Sequence, residues 1–152
     1  MAPSESVLPE GLLPEDLAAM RDQLLADGFH VVELVYNREN FGNAIMALER
    51  RGLIVRATRD RSQWLLSLSG PWGGAGFDPE IVRAYIDHDD PEVQPTPRAD
   101  QIRFILERLL EVETAGAAEG PALQDKLRRI NARTLEAYRK LPPDQKKMIP
   151  RD

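Results

Sequence analysis

His88 stands among four carboxylates, Asp87, Asp89, Asp90 and Glu92, in the segment DHDDPE. An imidazole beside carboxylates has the chemistry of a cation site. The spacing here, however, matches neither an EF-hand loop nor the two-histidine helix of a zinc protease. The only other histidine, His30, is distant, and the absence of cysteine excludes thiolate ligation, thiol catalysis and disulfides. We expect no metal site and no cofactor. The four acids read as a solvated helix end or as charge offered to a partner.

Other chemistries fare no better. The glycine run PWGGAGF lacks the Lys-Ser/Thr of a phosphate loop and the spacing of a dinucleotide loop. Its Trp72 and Phe77 read as hydrophobic pegs in a strand-to-helix connection. Exposed on that connection, Trp72 would also be an apolar anchor for a partner. No serine sits in a Gly-x-Ser-x-Gly elbow, and we expect no catalytic residue. Arg50, Arg51, Arg56, Arg59 and Arg61 have the chemistry to bind phosphates. The one nearby indole, Trp64, falls on the inward alternation of its strand and reads as core.

These residues must be positioned by a small set of elements. PEDLAAMRDQLLADGF reads as a helix, with Pro14 at its start, Leu17, Met20, Leu24 and Leu25 on one stripe, and Gly28 at its end. Four strand-like segments follow. HVVELVYN places Val32, Leu34 and Tyr36 on one face and Val31 and Val35 on the other. FGNAIMALE is apolar on both faces, as in a covered central strand. GLIVRAT and QWLLSLS alternate, turning Leu53, Val55, Ala57, Trp64, Leu66 and Leu68 inward.

The connections NREN, ERRG and RDRS are too short for crossover helices, so the strands form an antiparallel meander. The expected turn at Arg59-Asp60-Arg61-Ser62 is a hairpin tip. Three helices come next: PEIVRAYIDH with Asp78 as its N-cap, a long helix from about Ala99 to Thr114, and a last one from Pro121 to Leu141. TAGAAEG reads as a flexible break between the last two. The fold class is α+β in a single domain, 1–152, with a loose N-terminus over 1–12 and a loose tail over 142–152.

Net charge is −5 over 152 residues, but it is unevenly spread: −5 over 1–28, +2 over 29–76, −5 over 77–97 and +3 over 98–152. Two acidic blocks flanking a mildly basic middle repel a phosphate backbone and favour a basic partner. The N-terminus has no basic region followed by an apolar run, so it does not read as a secretory signal. No segment approaches the roughly 20 apolar residues of a membrane span. The expected location is the cytoplasm.

One stretch, Asn40 to Leu68, resembles small immunity proteins of polymorphic toxin systems of actinobacterial type. The matching residues are Phe41, Gly42 and Asn43, and then Arg59, Asp60, Arg61, Gln63 and Trp64. The pattern leads one to expect glycine where this chain has Ser62. The motif residues read as structural, Gly42 allowing a close approach and Arg-Asp-Arg shaping a turn. The resemblance implies a protein that occludes a cognate bacterial toxin domain and performs no reaction itself. Its partner would be a domain with a basic cleft, such as one acting on nucleic acid, met by Trp72, Asp87, Asp89, Asp90 and Glu92. A small enzyme and a nucleic-acid-binding regulator are the alternatives.

Overall fold

The computed structural model describes residues 8–70, 72 and 76–146. The order is α1 (Glu15–Ala26), β1 (His30–Asn37), β2 (Asn43–Arg50), β3 (Leu53–Asp60), β4 (Gln63–Ser69), α2 (Pro79–Asp87), α3 (Arg98–Glu119) and α4 (Pro121–Arg139), followed by a short 3-10 turn at Pro143–Gln145. This is the α+β architecture expected, and the sheet is a sequential antiparallel meander, β1-β2-β3-β4.

The alternation of β2, β3 and β4 decides where the core lies. Met46 and Leu48 pair across the strands with Ala57 and Val55, and these in turn with Leu66 and Leu68. All are buried on one face of the sheet. Against them pack Leu17, Met20 and Leu24 of α1, Ile81 and Val82 of α2, Ile102, Ile105, Leu109 and Val112 of α3, and Leu123, Leu127 and Ile130 of α4. The opposite face bears Val35, Ile45, Ile54, Leu65 and an Arg56–Glu33 ion pair of 3.4 Å, and none of these side chains joins the core cluster. Among the described residues β2 is therefore central but covered by helices on one side only, contrary to the two-sided burial its composition implied.

Three local expectations are corrected. Val32 does not share a face with Leu34 and Tyr36: a bulge between Val31 and Glu33 breaks the register and leaves Val32 exposed. Leu25 is exposed rather than part of the α1 stripe. TAGAAEG is helix as far as Glu119, because its alanines favour it and a lone interior Gly116 costs only about 1 kcal/mol, and only Gly120 (φ 55°) breaks it. The irregularity in α3 falls instead at Arg108 (φ −122°, ψ 18°).

Leu8 and Leu12 pack against the core. Lys146 donates to the carbonyl of Arg139 and lies 5.8 Å from the Tyr138 ring centroid. Residues 1–7 and 147–152, and Pro71 and Gly73–Ala75 of the glycine run, lie outside the described residues.

Tight turns fix the register. Arg51-Gly52 joins β2 to β3, and Arg61-Ser62 joins β3 to β4, with φ positive at all four residues as a type I′ hairpin requires. Ser62 (φ 71°) thus occupies a left-handed position where glycine costs nothing. Gly70 (φ 131°) meets the back of the first turn so closely that a Cβ would sit 1.9 Å from the Gly52 carbonyl oxygen.

Ser62→Gly should stabilise the protein by about 1 kcal/mol in urea denaturation. Gly70→Ala should destabilise it by more than about 3 kcal/mol, since backbone itself must move.

Candidate functional site

The acidic segment begins where α2 stops. Asp78 occupies the N-cap position and Pro79 the first helical one, although the Asp78 side chain makes no capping hydrogen bond. At the other end His88 adopts a left-handed conformation (φ 55°, ψ 42°). Its N–H donates to the Tyr85 carbonyl at 3.3 Å, and that of Asp89 donates to Ala84 at 3.1 Å. This is a Schellman termination with histidine in the place usually taken by glycine. It turns the chain sharply and directs Asp89 to Glu92 away from the helix axis.

Arg83 holds that turned segment. Its Nε donates to both Glu80 oxygens at 2.9 Å, and its Nη1 to Asp87 and Asp89 at 3.0 Å each. Glu80 in turn accepts the backbone N–H of Glu92 at 3.2 Å. A second guanidinium comes from the irregular turn of α3: Arg108 Nη2 lies 2.6 Å from Asp87 and 2.7 Å from Glu111.

The hydrogen bond from Arg108, with that from Arg83, holds the Asp87 carboxyl below its ordinary range. The same Arg108 lowers Glu111. Asp87 is thus paired with two guanidiniums within the fold, and Asp89 shares Arg83 with Glu80 and Asp87. Asp90 and Glu92 are exposed, and their carboxylates meet no cation among the described residues.

Between this segment and α4 lies an open cleft of about 310 Å³ lined by Ala84, Tyr85, His88, Asp89, Asp90, Ile130 and Arg133. The Tyr85 hydroxyl donates to Glu119, which also accepts a 2.7 Å hydrogen bond from Lys126. Burial and then Glu119 push the Tyr85 pKa up to about 12, so at neutral pH the phenol is a donor and not a base. Lys126, and then Tyr85, hold Glu119 below its ordinary range. Among the described residues no three metal-ligating side chains converge. His30 is engaged elsewhere, 2.9 Å from Glu49.

Trp72 requires a correction. It is 0% exposed and belongs to the core cluster, its ring 6.4 Å from that of Phe77. It is a hydrophobic peg within the core and does not stand out as an anchor. Trp64 is buried as expected.

The other motif residues meet at one end of the sheet. Arg59 Nη1 donates to the carbonyl oxygens of Gly42 at 2.7 Å and Phe41 at 3.4 Å, and Asn43 Oδ1 accepts the Arg61 N–H at 3.0 Å. Asp60 pairs with Gln63 to close the turn. A Cβ on Gly42 would lie 2.7 Å from Arg59 Nη1, so this glycine makes the clasp between the two hairpin tips possible.

Sequence reasoning located the acidic segment but missed Arg83, Arg108, Tyr85 and Arg133. Arg83 was legible, since it follows Glu80 by three residues and precedes Asp87 by four. Arg108 was legible as the partner of Glu111 three residues on, but its pairing with Asp87 carried no such signal, because it crosses from α3 to α2.

Arg83→Met should cost about 2 kcal/mol, leaving Glu80 and Asp89 without their charged donor, and should accelerate amide exchange over residues 87–92. Asp87, Glu111 and Glu119 are all depressed in the folded state. Their stabilisation is fully present above the ordinary carboxylate pKa of about 4 and is lost as pH falls through their folded values. Urea midpoints from pH 7 to pH 2.5 should show this acid limb, and Asp87→Asn should flatten it.

Comparison with known proteins finds no family model, no curated protein and no solved structure that matches this chain.

Proposed function

We propose that this chain is an immunity-type binding protein of the cytoplasm. In this reading it seats the acidic end of α2 in a positively charged cleft of a cognate toxin domain, of the kind that handles nucleic acid. It works by occlusion and performs no chemistry of its own. The observation that carries the reading is the pair of exposed carboxylates, Asp90 and Glu92, that no cation of the described chain neutralises. Unpaired carboxylates on a segment already pinned by Arg83 project negative potential outward and need little ordering on contact. Asp89, held by Arg83 yet half exposed, adds to that potential at the rim, whereas Asp87 is committed to Arg83 and Arg108.

The −5 of residues 77–97 supports the same reading, since an acidic surface steers association with a basic cleft. The best candidates for contact are therefore Asp90, Glu92 and Asp89, and Asp87 is a positioning residue.

The test is first whether a toxin domain is encoded beside this gene, and then its association with this chain; the lack of such a neighbour would count against the reading. Asp90→Lys/Glu92→Lys should lower the association rate by about tenfold or more at low salt, with the difference shrinking as salt is raised, while circular dichroism stays unchanged. An unaltered rate and salt dependence in that variant would refute the reading.

A further inference from the structure

The end of the sheet where the two hairpin tips meet displays side chains used by neither the core nor the acidic segment. Phe41 is 71% exposed, more than any other large hydrophobic residue described. Its backbone is left-handed (φ 59°), a conformation that bulky residues avoid. Arg61 is left-handed too (φ 51°), and its guanidinium carbon lies 6.0 Å from the Phe41 ring centroid. The Arg61 backbone N–H is taken by Asn43, yet its guanidinium meets no carboxylate among the described residues.

The mount beneath these two side chains is tied together by hydrogen bonds. Arg59 binds the carbonyls of Phe41 and Gly42, and Asn43 binds the opposite tip. The motif thus divides in two. Gly42, Asn43, Arg59, Asp60, Gln63 and Trp64 build the support, and Phe41 and Arg61 are what it holds up. A strained residue held in place by several contacts and contributing nothing to the interior points to a role at the surface.

We propose that the Phe41–Arg61 tip is a protein-docking surface whose partner offers a shallow apolar pocket for the ring, edged by a carboxylate that pairs with the guanidinium. Aromatic and arginine side chains dominate the energetics of protein interfaces, and a fixed mount avoids the cost of ordering them. The planar guanidinium fork fits a carboxylate bidentately. A polyphosphate backbone would require several cations presented together, whereas of the bases around this tip Arg59 is committed to the Phe41 and Gly42 carbonyls and Arg38 and Arg61 are accompanied by the neighbouring acids Glu39 and Asp60. The charge it seeks is opposite to that sought by Asp90 and Glu92, so the inference stands independently of the toxin-binding reading.

The test uses random dodecapeptides displayed on phage, selected on the full chain and counter-selected on Phe41→Gly/Arg61→Gln. The enriched peptides should combine aliphatic or aromatic residues with Asp or Glu. Their affinity should fall at least tenfold in each single variant, and their amide shifts should be confined to residues 38–44 and 59–63. Phe41→Gly removes a bulky side chain from a left-handed position, so it should melt at or above the wild-type temperature, separating lost contact from lost fold.

The proposal is overturned if no peptide is enriched, if the enriched peptides bind both single variants as well as the wild type, or if their shifts map elsewhere. It is equally overturned if Phe41→Gly melts well below the wild type, which would make the ring structural. A 20-nucleotide single strand that produces the tip shifts while peptides do not would transfer the surface to nucleic acid. Sedimentation showing dimers that dissociate on Phe41→Gly would assign it to a second copy of the chain.

Discussion

A single sheet face that must be kept from water organises this molecule. Met46, Leu48, Val55, Ala57, Leu66 and Leu68 share that face, and four helices contribute apolar side chains to the core it forms. Among the described residues the other face has no such helical cover. Removing apolar surface from water stabilises by roughly 25 cal/mol per Å², so the helices gain by joining this face and not by standing apart. Once α2 is committed to the core through Ile81, Val82 and Ala84, its charged side follows: Glu80, Arg83 and Asp87 run along the part of the helix that the core does not use. The placement of the acidic segment is thus a consequence of hydrophobic packing.

Ion pairs then settle details that burial leaves open. Arg50, at the end of β2, reaches the largely buried Glu113 of α3, the Asp27 carbonyl beyond α1, and the face of Phe29 at 4.8 Å. One guanidinium thereby joins three elements at the edge of the core. Removing one partner of such a sheltered pair costs more than the pair itself contributes, because the other charge is left without compensation. Arg83 and Arg108 play the corresponding part around Asp87. Arg50, Arg59, Arg83 and Arg108 are therefore committed to the chain's own architecture, whereas the Arg61 guanidinium meets no carboxylate among the described residues.

Much of this was legible in the sequence. The bounds of β1 and β4 follow from alternation and turn residues, and the meander follows from connections too short for crossovers. The bulge at Val32 was not legible, since HVVELVYN alternates equally well in either phase and only pairing with β2 shows where the register slips. The continuation of α3 was obscured by Gly116, whose cost is small beside that of interrupting a packed helix. At the site, composition revealed the acids but not their internal pairing. Trp72 was ambiguous because a tryptophan beside glycines serves equally well as a peg or as an exposed anchor, and only the fold distinguishes the two.

The sequential strand order has a consequence for kinetics. No pairing within the sheet spans more than 19 residues, the longest joining His30 to Glu49. Sheets with such local contacts have low relative contact order, and the chain-entropy penalty of assembling them is small. The meander can therefore nucleate as successive hairpins before the C-terminal helices dock. That sequence of events shortens the time during which the β1 edge and the apolar face stand open to neighbouring chains.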